Sequence, residues 1–137
     1  TSGALYDIFF SAAGVAMENK SADDPMTWFT GFEAGILAMK KYGNALPGNR
    51  TMLDALVPAM EAARGKVSEG RVSSSKEALE AAAKAAEEGA ASTRTMRAGA
   101  GRSSYVPEHV LLSVADPGAT ATAVWLRAVA NAAQEYL

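Results

Sequence analysis

PGNRTMLDALVPAM, residues 47–60, decides how this chain is read. Pro47-Gly48-Asn49 is a turn signal, built from residues that fix or free the backbone dihedrals. Directly behind it, Met52, Leu53, Leu56, Val57 and Met60 recur at helical spacing and form one inward face. Pro58 falls inside that pattern and predicts a kink or irregular geometry. Gly65 closes the helix. The unit is a glycine-bearing turn that feeds straight into an amphipathic helix.

The same logic extends toward the N-terminus. Asp24-Pro25 is a helix start, because Asp accepts a bond from an orphan N–H and Pro is tolerated at the first helical position. The helix it opens carries Trp28, Phe29, Phe32, Ile36 and Met39. It ends at Gly43, after Lys40 and Lys41 have put positive charge at the negative end of the helix dipole. Before it, Glu18 to Asp24 reads as a polar loop. A first helix spans about Gly3 to Met17, with Leu5, Ile8, Phe9, Ala12 and Ala16 on one face and Asp7 and Phe10 outside it.

Toward the C-terminus, Gly70 to Ser75 reads as a polar linker, and Ser74 with Glu77 forms a capping box. Lys76 to about Met96 is rich in Ala, Glu and Lys. It predicts a solvent-facing helix with a thin alanine seam. Residues 98–107 form an irregular loop, AGAGRSSYVP, whose run of small residues before Arg102 has no explanation in core packing. Asp116-Pro117-Gly118 opens the last helix, which is expected to turn Val124, Trp125, Ala128, Val129 and Ala132 to the core. Five helical segments, no strand, no solenoid-length repeat and no domain boundary together predict an all-α, up-and-down bundle.

Composition excludes several classes. The 137 residues contain no cysteine, so there is neither a disulfide framework nor a thiolate metal site. A formal net charge of −2 with no basic stripe argues against a nucleic-acid partner. The most apolar early run, Ile8 to Met17, is too short to span a membrane and lacks a basic leader flank. A soluble, cytoplasmic protein with no membrane partner is the expectation. His109, the single histidine, reads as a loop residue without partners for a catalytic triad or a zinc site. Asp23 and Asp24 read as loop and helix cap, and Asp54 as a residue of the third helix that makes a buried polar contact within the domain.

The turns at Pro47-Gly48, Gly99–Arg102 and Asp116-Pro117-Gly118 all sit at helix ends. In an up-and-down array, the loops before the third and fifth helices share one end, and the loop at 98–107 reaches that end by crossing over. Helix N-termini attract anions, glycine lets a backbone approach a ligand, and Arg102 offers a planar cation suited to phosphate. A nucleotide or phosphate site at that end is consistent with this, as is a set of ordinary turns with one surface arginine.

Four blocks, Ser2-Gly3-Ala4-Leu5-Tyr6, Pro47 to Asp54, Gly99 to Tyr105 and Asp116-Pro117-Gly118-Ala119, carry a resemblance. In this order and spacing they resemble the signature blocks of the dihydroxyacetone kinase L domain, and the resemblance covers the whole chain. It implies a part of an eight-helix up-and-down barrel that binds ATP or ADP with magnesium at one end. It further implies phosphoryl transfer to dihydroxyacetone or a related triose, with a separate K domain holding that small-molecule substrate. Some single-chain relatives also release cyclic FMN from FAD. Residue by residue, it assigns Thr1 and Ser2 to the phosphates at a helix start and Gly48 to a close contact near the adenine. Met52, Leu56 and Val57 wall the adenine pocket, Arg102 lies near the phosphates, and Asp116, Pro117 and Gly118 form a nucleotide-contacting turn.

Two departures qualify that picture. The aspartate-rich motif that holds magnesium in this family has no counterpart here and is expected upstream of Thr1. Asn49 stands where an aspartate is common. The chain is therefore expected to be the C-terminal part of the domain, with its first helices and metal ligands missing, and incomplete as a catalyst. The rest of the domain is expected as a partner, or replaced by self-association into a homo-oligomer. Two further readings remain: a phosphotransferase-system L subunit that keeps ADP tightly bound, and a non-catalytic regulatory module of the same fold.

Overall fold

A computed structural model describes residues 2–67 and 74–136. Thr1, most of the linker at 70–73 and the side chain of Ser74, the expected cap, lie outside the described residues. Among the described residues six helices follow in order: α1 (Ser2–Met17), α2 (Pro25–Gly43), α3 (Leu53–Val67), α4 (Ser74–Ser92), α5 (Glu108–Leu111) and α6 (Pro117–Tyr136). Single 3-10 turns occupy Thr93–Thr95 and Arg102–Tyr105, and no strand occurs among the described residues. The all-α expectation is met. His109 sits in the short α5 rather than in a loop, and is exposed there.

Local chemistry explains the helix ends. Asp24 Oδ1 accepts the Met26 N–H at 2.9 Å, and Pro25 takes the first helical position of α2. At the other end Asn44, not Gly43, adopts the left-handed conformation, with φ 52°. Gly43 is small for another reason: a Cβ there would stand 2.8 Å from Leu5 Cδ2, so α1 packs directly on it.

Three such close approaches fix the direction of α1 against α2. Leu5 meets Gly43, Phe9 meets Gly35 and Met17 meets Gly31, so one number rises as the other falls and the helices are antiparallel. Helices α3 and α4 cross in the same sense, with Asp54 at the start of α3 against Gly89 near the end of α4. Between α4 and α6, Lys76 Nζ bonds the Gln134 carbonyl while Thr93 Oγ1 receives the Asp116 N–H, which again is antiparallel. The starts of α1, α3 and α6 and the ends of α2 and α4 therefore gather at one end.

Pro58 does not break α3, which runs unbroken from Leu53 to Val67. Proline has no N–H, so the carbonyl of Asp54, four residues earlier, loses its helical partner. That carbonyl is where α4 comes nearest: a Cβ on Gly89 would run into the Asp54 oxygen. A freed carbonyl on one helix thus faces a helix surface with no side chain on the other, a geometry suited to a weak Cα–H···O contact.

Two clusters fill the interior. Phe9, Ile36, Met39, Leu53, Leu56, Val57 and Met60 form the larger-residue core of α1, α2 and α3. Ala55, Ala59, Ala82, Ala86, Ala90, Ala119, Ala123 and Leu126 form a second, alanine-rich core of α3, α4 and α6. Two expectations are corrected here. Helix α4 is not a solvent-facing element; it lies between α3 and α6, with Ala78, Ala82, Ala83, Ala86 and Ala90 buried and its charged residues outside. On α6, Val124 is 65% exposed and Ala128, Val129 and Ala132 are also exposed. Its buried face is instead Ala119, Thr122, Ala123, Leu126, Ala130 and Ala133, with Trp125 half-buried at the edge. The reason is that α4 offers only alanines, so α6 must present small residues to come close enough for dense packing.

Candidate functional site

Where the helix ends gather, they enclose a cavity of about 530 Å³. The first turn of α1 contributes Ser2 and Gly3, the approach to α3 contributes Arg50, Thr51 and Met52, and the loop before α5 contributes Ala100 to Ser103. Asp116, Pro117 and Gly118 close the far side, and Leu5, Met39 and Ala45 form apolar wall. The long loop leaves α4 already at this end, so it reaches the site without the expected crossing-over, and its Gly99 N–H bonds the Asn49 carbonyl at 3.0 Å.

Each turn is held by a carboxylate. Asp54 is buried and accepts the N–H groups of Gly48 and, at 2.8 Å, Thr51. From the first turn of α3 it ties down the turn before the helix and holds the left-handed backbone of Gly48 at φ 93°, which glycine tolerates without strain. The expected buried polar contact of Asp54 is thus identified. Asp116 caps α6 through Oδ2, which takes the Ala119 N–H at 2.9 Å. Its Oδ1 accepts the Ser103 hydroxyl at 3.2 Å and lies 3.6 Å from Arg50 Nη1.

The starts of α3 and α6 are therefore already served by their own aspartates. The first turn of α1 holds no acidic residue. Its amides, with Ser2 and Gly3 at the cavity, are the helix end most open to an anion. Arg102 stands exposed at the rim with no ion-pair partner among the described residues.

Of the residues singled out in the sequence, Ser2, Met52, Arg102, Asp116, Pro117 and Gly118 line this cavity together. Gly48 lies outside it, exposed in the turn below. Leu56, fully buried, and Val57 belong to the hydrophobic core rather than to the cavity wall. Thr1 lies outside the described residues. Sequence reasoning passed over Arg50, which lines the cavity and is only 1% exposed. A single arginine in a turn gives no sign that it will be buried; its place after Gly48-Asn49 was the only available signal.

Asp116 is the single carboxylate lining the cavity among the described residues, and both its oxygens are committed. No group of three or more metal-ligating side chains occurs among those residues. The residues present fit an anionic, partly apolar ligand and do not fit a magnesium ion.

An antiparallel all-α domain with loops and helix starts gathered round one cavity is the class that the geometry defines. A family model, the DAK2 domain, matches residues 1–131, and the chain belongs to that family. The resemblance to the dihydroxyacetone kinase L domain is borne out. The chain is 46% identical to a putative 3,4-dihydroxy-2-butanone kinase of Solanum lycopersicum over 98% of its own length and 23% of the relative's. It is 42% identical to the triokinase/FMN cyclase of Bos taurus, over 98% of this chain and 22% of that protein. It is also 37% identical to the ADP-binding subunit DhaL of the PEP-dependent dihydroxyacetone kinase of Escherichia coli (strain K12), covering 98% of this chain and 62% of that subunit. The chain thus spans less than a quarter of the first two relatives and under two thirds of the third.

Proposed function

We propose that this chain supplies the nucleotide-binding part of an ATP-dependent kinase that phosphorylates dihydroxyacetone or a related triose. The observation that carries the reading is the cavity itself: an acid-free helix start and an unpaired arginine on its polar side, with Leu5, Met39 and Met52 on its apolar side. Phosphates are held at Ser2, Gly3 and Arg102, and the base lies against the apolar wall. Pro117 and Gly118 let the backbone of α6 come near the ligand, and Asp116 keeps that turn in place. The name of the Escherichia coli relative, an ADP-binding subunit, supports the nucleotide.

Magnesium, when bound, neutralises charge on the transferred phosphoryl group. In this reading its ligands lie outside the chain, upstream, together with the remaining helices of the barrel. The acceptor triose is held by a separate K domain. The reading expects a cytoplasmic protein with access to ATP. The same subunit name supports a second reading, in which ADP stays bound and is rephosphorylated by a partner of a phosphotransferase system.

Calorimetry with ADP and magnesium tests the proposal, on this chain alone and with the upstream segment restored. Binding only in the restored protein supports a kinase nucleotide site shared between the two segments. No binding in either form overturns the reading in favour of a non-catalytic helical module. ADP that co-purifies and does not exchange identifies the phosphotransferase form.

A further inference from the structure

We infer that Arg50 is a positioning residue of this site, a buried cation that holds the cavity loops in register without itself gripping the ligand. The inference rests on the nucleotide reading above. It starts from an outlier: Arg50 has a left-handed backbone, φ 61°, which costs a non-glycine residue and persists only where its surroundings over-determine it. The surroundings do so. Asp54 holds the amides of Gly48 and Thr51 on either side, and Asn49 is tied to Gly99.

That backbone sends the side chain under the cavity floor. Nη2 donates to the carbonyls of Leu111 at 2.8 Å and Val114 at 2.6 Å, more than 60 residues away in sequence. Nη1 lies 3.6 Å from Asp116 Oδ1, the same oxygen that accepts the Ser103 hydroxyl. One guanidinium therefore touches the end of α5 and the turn into α6, and reaches through Asp116 to the 3-10 turn that carries Arg102. A planar fork with several fixed donors can make these contacts at once.

Stability is not the whole of its role. Nε and Nη1 are buried without a hydrogen-bond partner, which opposes folding. An apolar side chain of the same length would remove those two orphans but would leave the Leu111 and Val114 carbonyls without their donor. The arginine's distinct contribution is to fix the loop from 98 to 116 relative to α3 before the ligand arrives, so that binding need not order it.

The test uses the whole protein that carries this chain, with Arg50→Met and Arg50→Lys. Two readouts are compared: ADP affinity, and amide hydrogen exchange in the nucleotide-free state. Arg50→Met is expected to weaken ADP about tenfold or more and to speed exchange across 98–114, leaving exchange within α2, α3 and α4 unchanged. Arg50→Lys, which restores a cation but not the planar fork, is expected to recover only part of both effects. If Arg50→Met does not fold, Arg50→Gln, which keeps donors without the charge, is read in the same way.

ADP affinity within about twofold of the wild type, well below the tenfold loss that misplacement implies, overturns the inference. So does weaker binding with unaltered exchange, which would mean direct contact with the ligand. If the wild-type protein binds no ADP, the functional reading fails, and the exchange measurement alone decides the role of Arg50.

Discussion

Arg102, at the rim of the 530 Å³ cavity, and Asp54, behind the turn that leads to it, do opposite work. Arg102 is exposed and unpaired among the described residues, so the fold owes it little and a ligand can gain from it. Arg102→Ala is expected to weaken ADP binding by roughly 1.5–3 kcal/mol, the range for a charge-assisted hydrogen bond, with the unfolding midpoint unchanged. Calorimetry beside thermal denaturation checks this, and unaltered ADP affinity would remove Arg102 from the site. Asp54 is buried and accepts two backbone amides, so its loss leaves donors unsatisfied. Asp54→Ala is expected to destabilise the domain by about 1–3 kcal/mol, read by urea denaturation. The presence of both residues at turns was visible in the sequence. That Asp116 has both oxygens committed was not, because its partners, Ser103, Ala119 and Arg50, converge only when three loops meet.

Helices here are matched by what they lack. Where α3 and α4 cross, Pro58 frees the Asp54 carbonyl and Gly89 clears the space in front of it. Gly89→Ala is expected to push the helices apart and destabilise by about 1–3 kcal/mol, as overpacking does. In an exposed helix the same change would stabilise, so the sign measured in urea separates the two cases. Between α4 and α6 the contact is ionic at the surface: Arg127 bridges Glu87 at 2.8 Å and Glu80 at 2.7 Å. The hydrogen bond from Arg127 holds the Glu87 carboxyl below its usual range, against a smaller opposing effect of burial. A depressed folded-state value contributes stability above the ordinary carboxylate pKa and loses it as pH falls through the lowered one. Stability is therefore expected to decline below about pH 4.3, the ordinary glutamate value, and Arg127→Gln to flatten that decline. The pair is solvent-screened, so its removal at neutral pH is expected to cost under about 1 kcal/mol and to matter less in high salt.

The molecule as a whole leaves large apolar side chains in solvent. Phe10 is 64% and Val15 73% exposed on α1, and Val124 and Val129 lie open on α6. Tyr6 links these two helices through its hydroxyl, which meets Thr122 at 3.2 Å and Trp125 Nε1 at 3.1 Å. Scattered exposed apolar residues are ordinary, but contiguous patches mark a partner. The isolated chain is expected to self-associate, and to become monodisperse when the upstream segment is supplied. Sedimentation velocity checks this; a well-folded, monodisperse monomer of the chain alone would count against a missing partner segment. No helix among the described residues is long and apolar enough to cross a membrane.

The amino-acid order was enough to place the five longer helices, the Asp24-Pro25 start and the turns that meet at the site. Those features are written locally: Asp24-Pro25, Pro47-Gly48 and Asp116-Pro117-Gly118 act on their own backbone within a few residues. The family blocks were legible for the same reason, since each is a short contiguous run. The inward faces of α4 and α6 needed the folded chain. Where alanine lies on every side, hydrophobic periodicity selects no face, and the choice falls to the helix that packs opposite. The inward turn of Leu56 and Val57 was legible from helical spacing, but the burial of Arg50 beneath the cavity came from contacts between distant segments. Such contacts leave no local period to read.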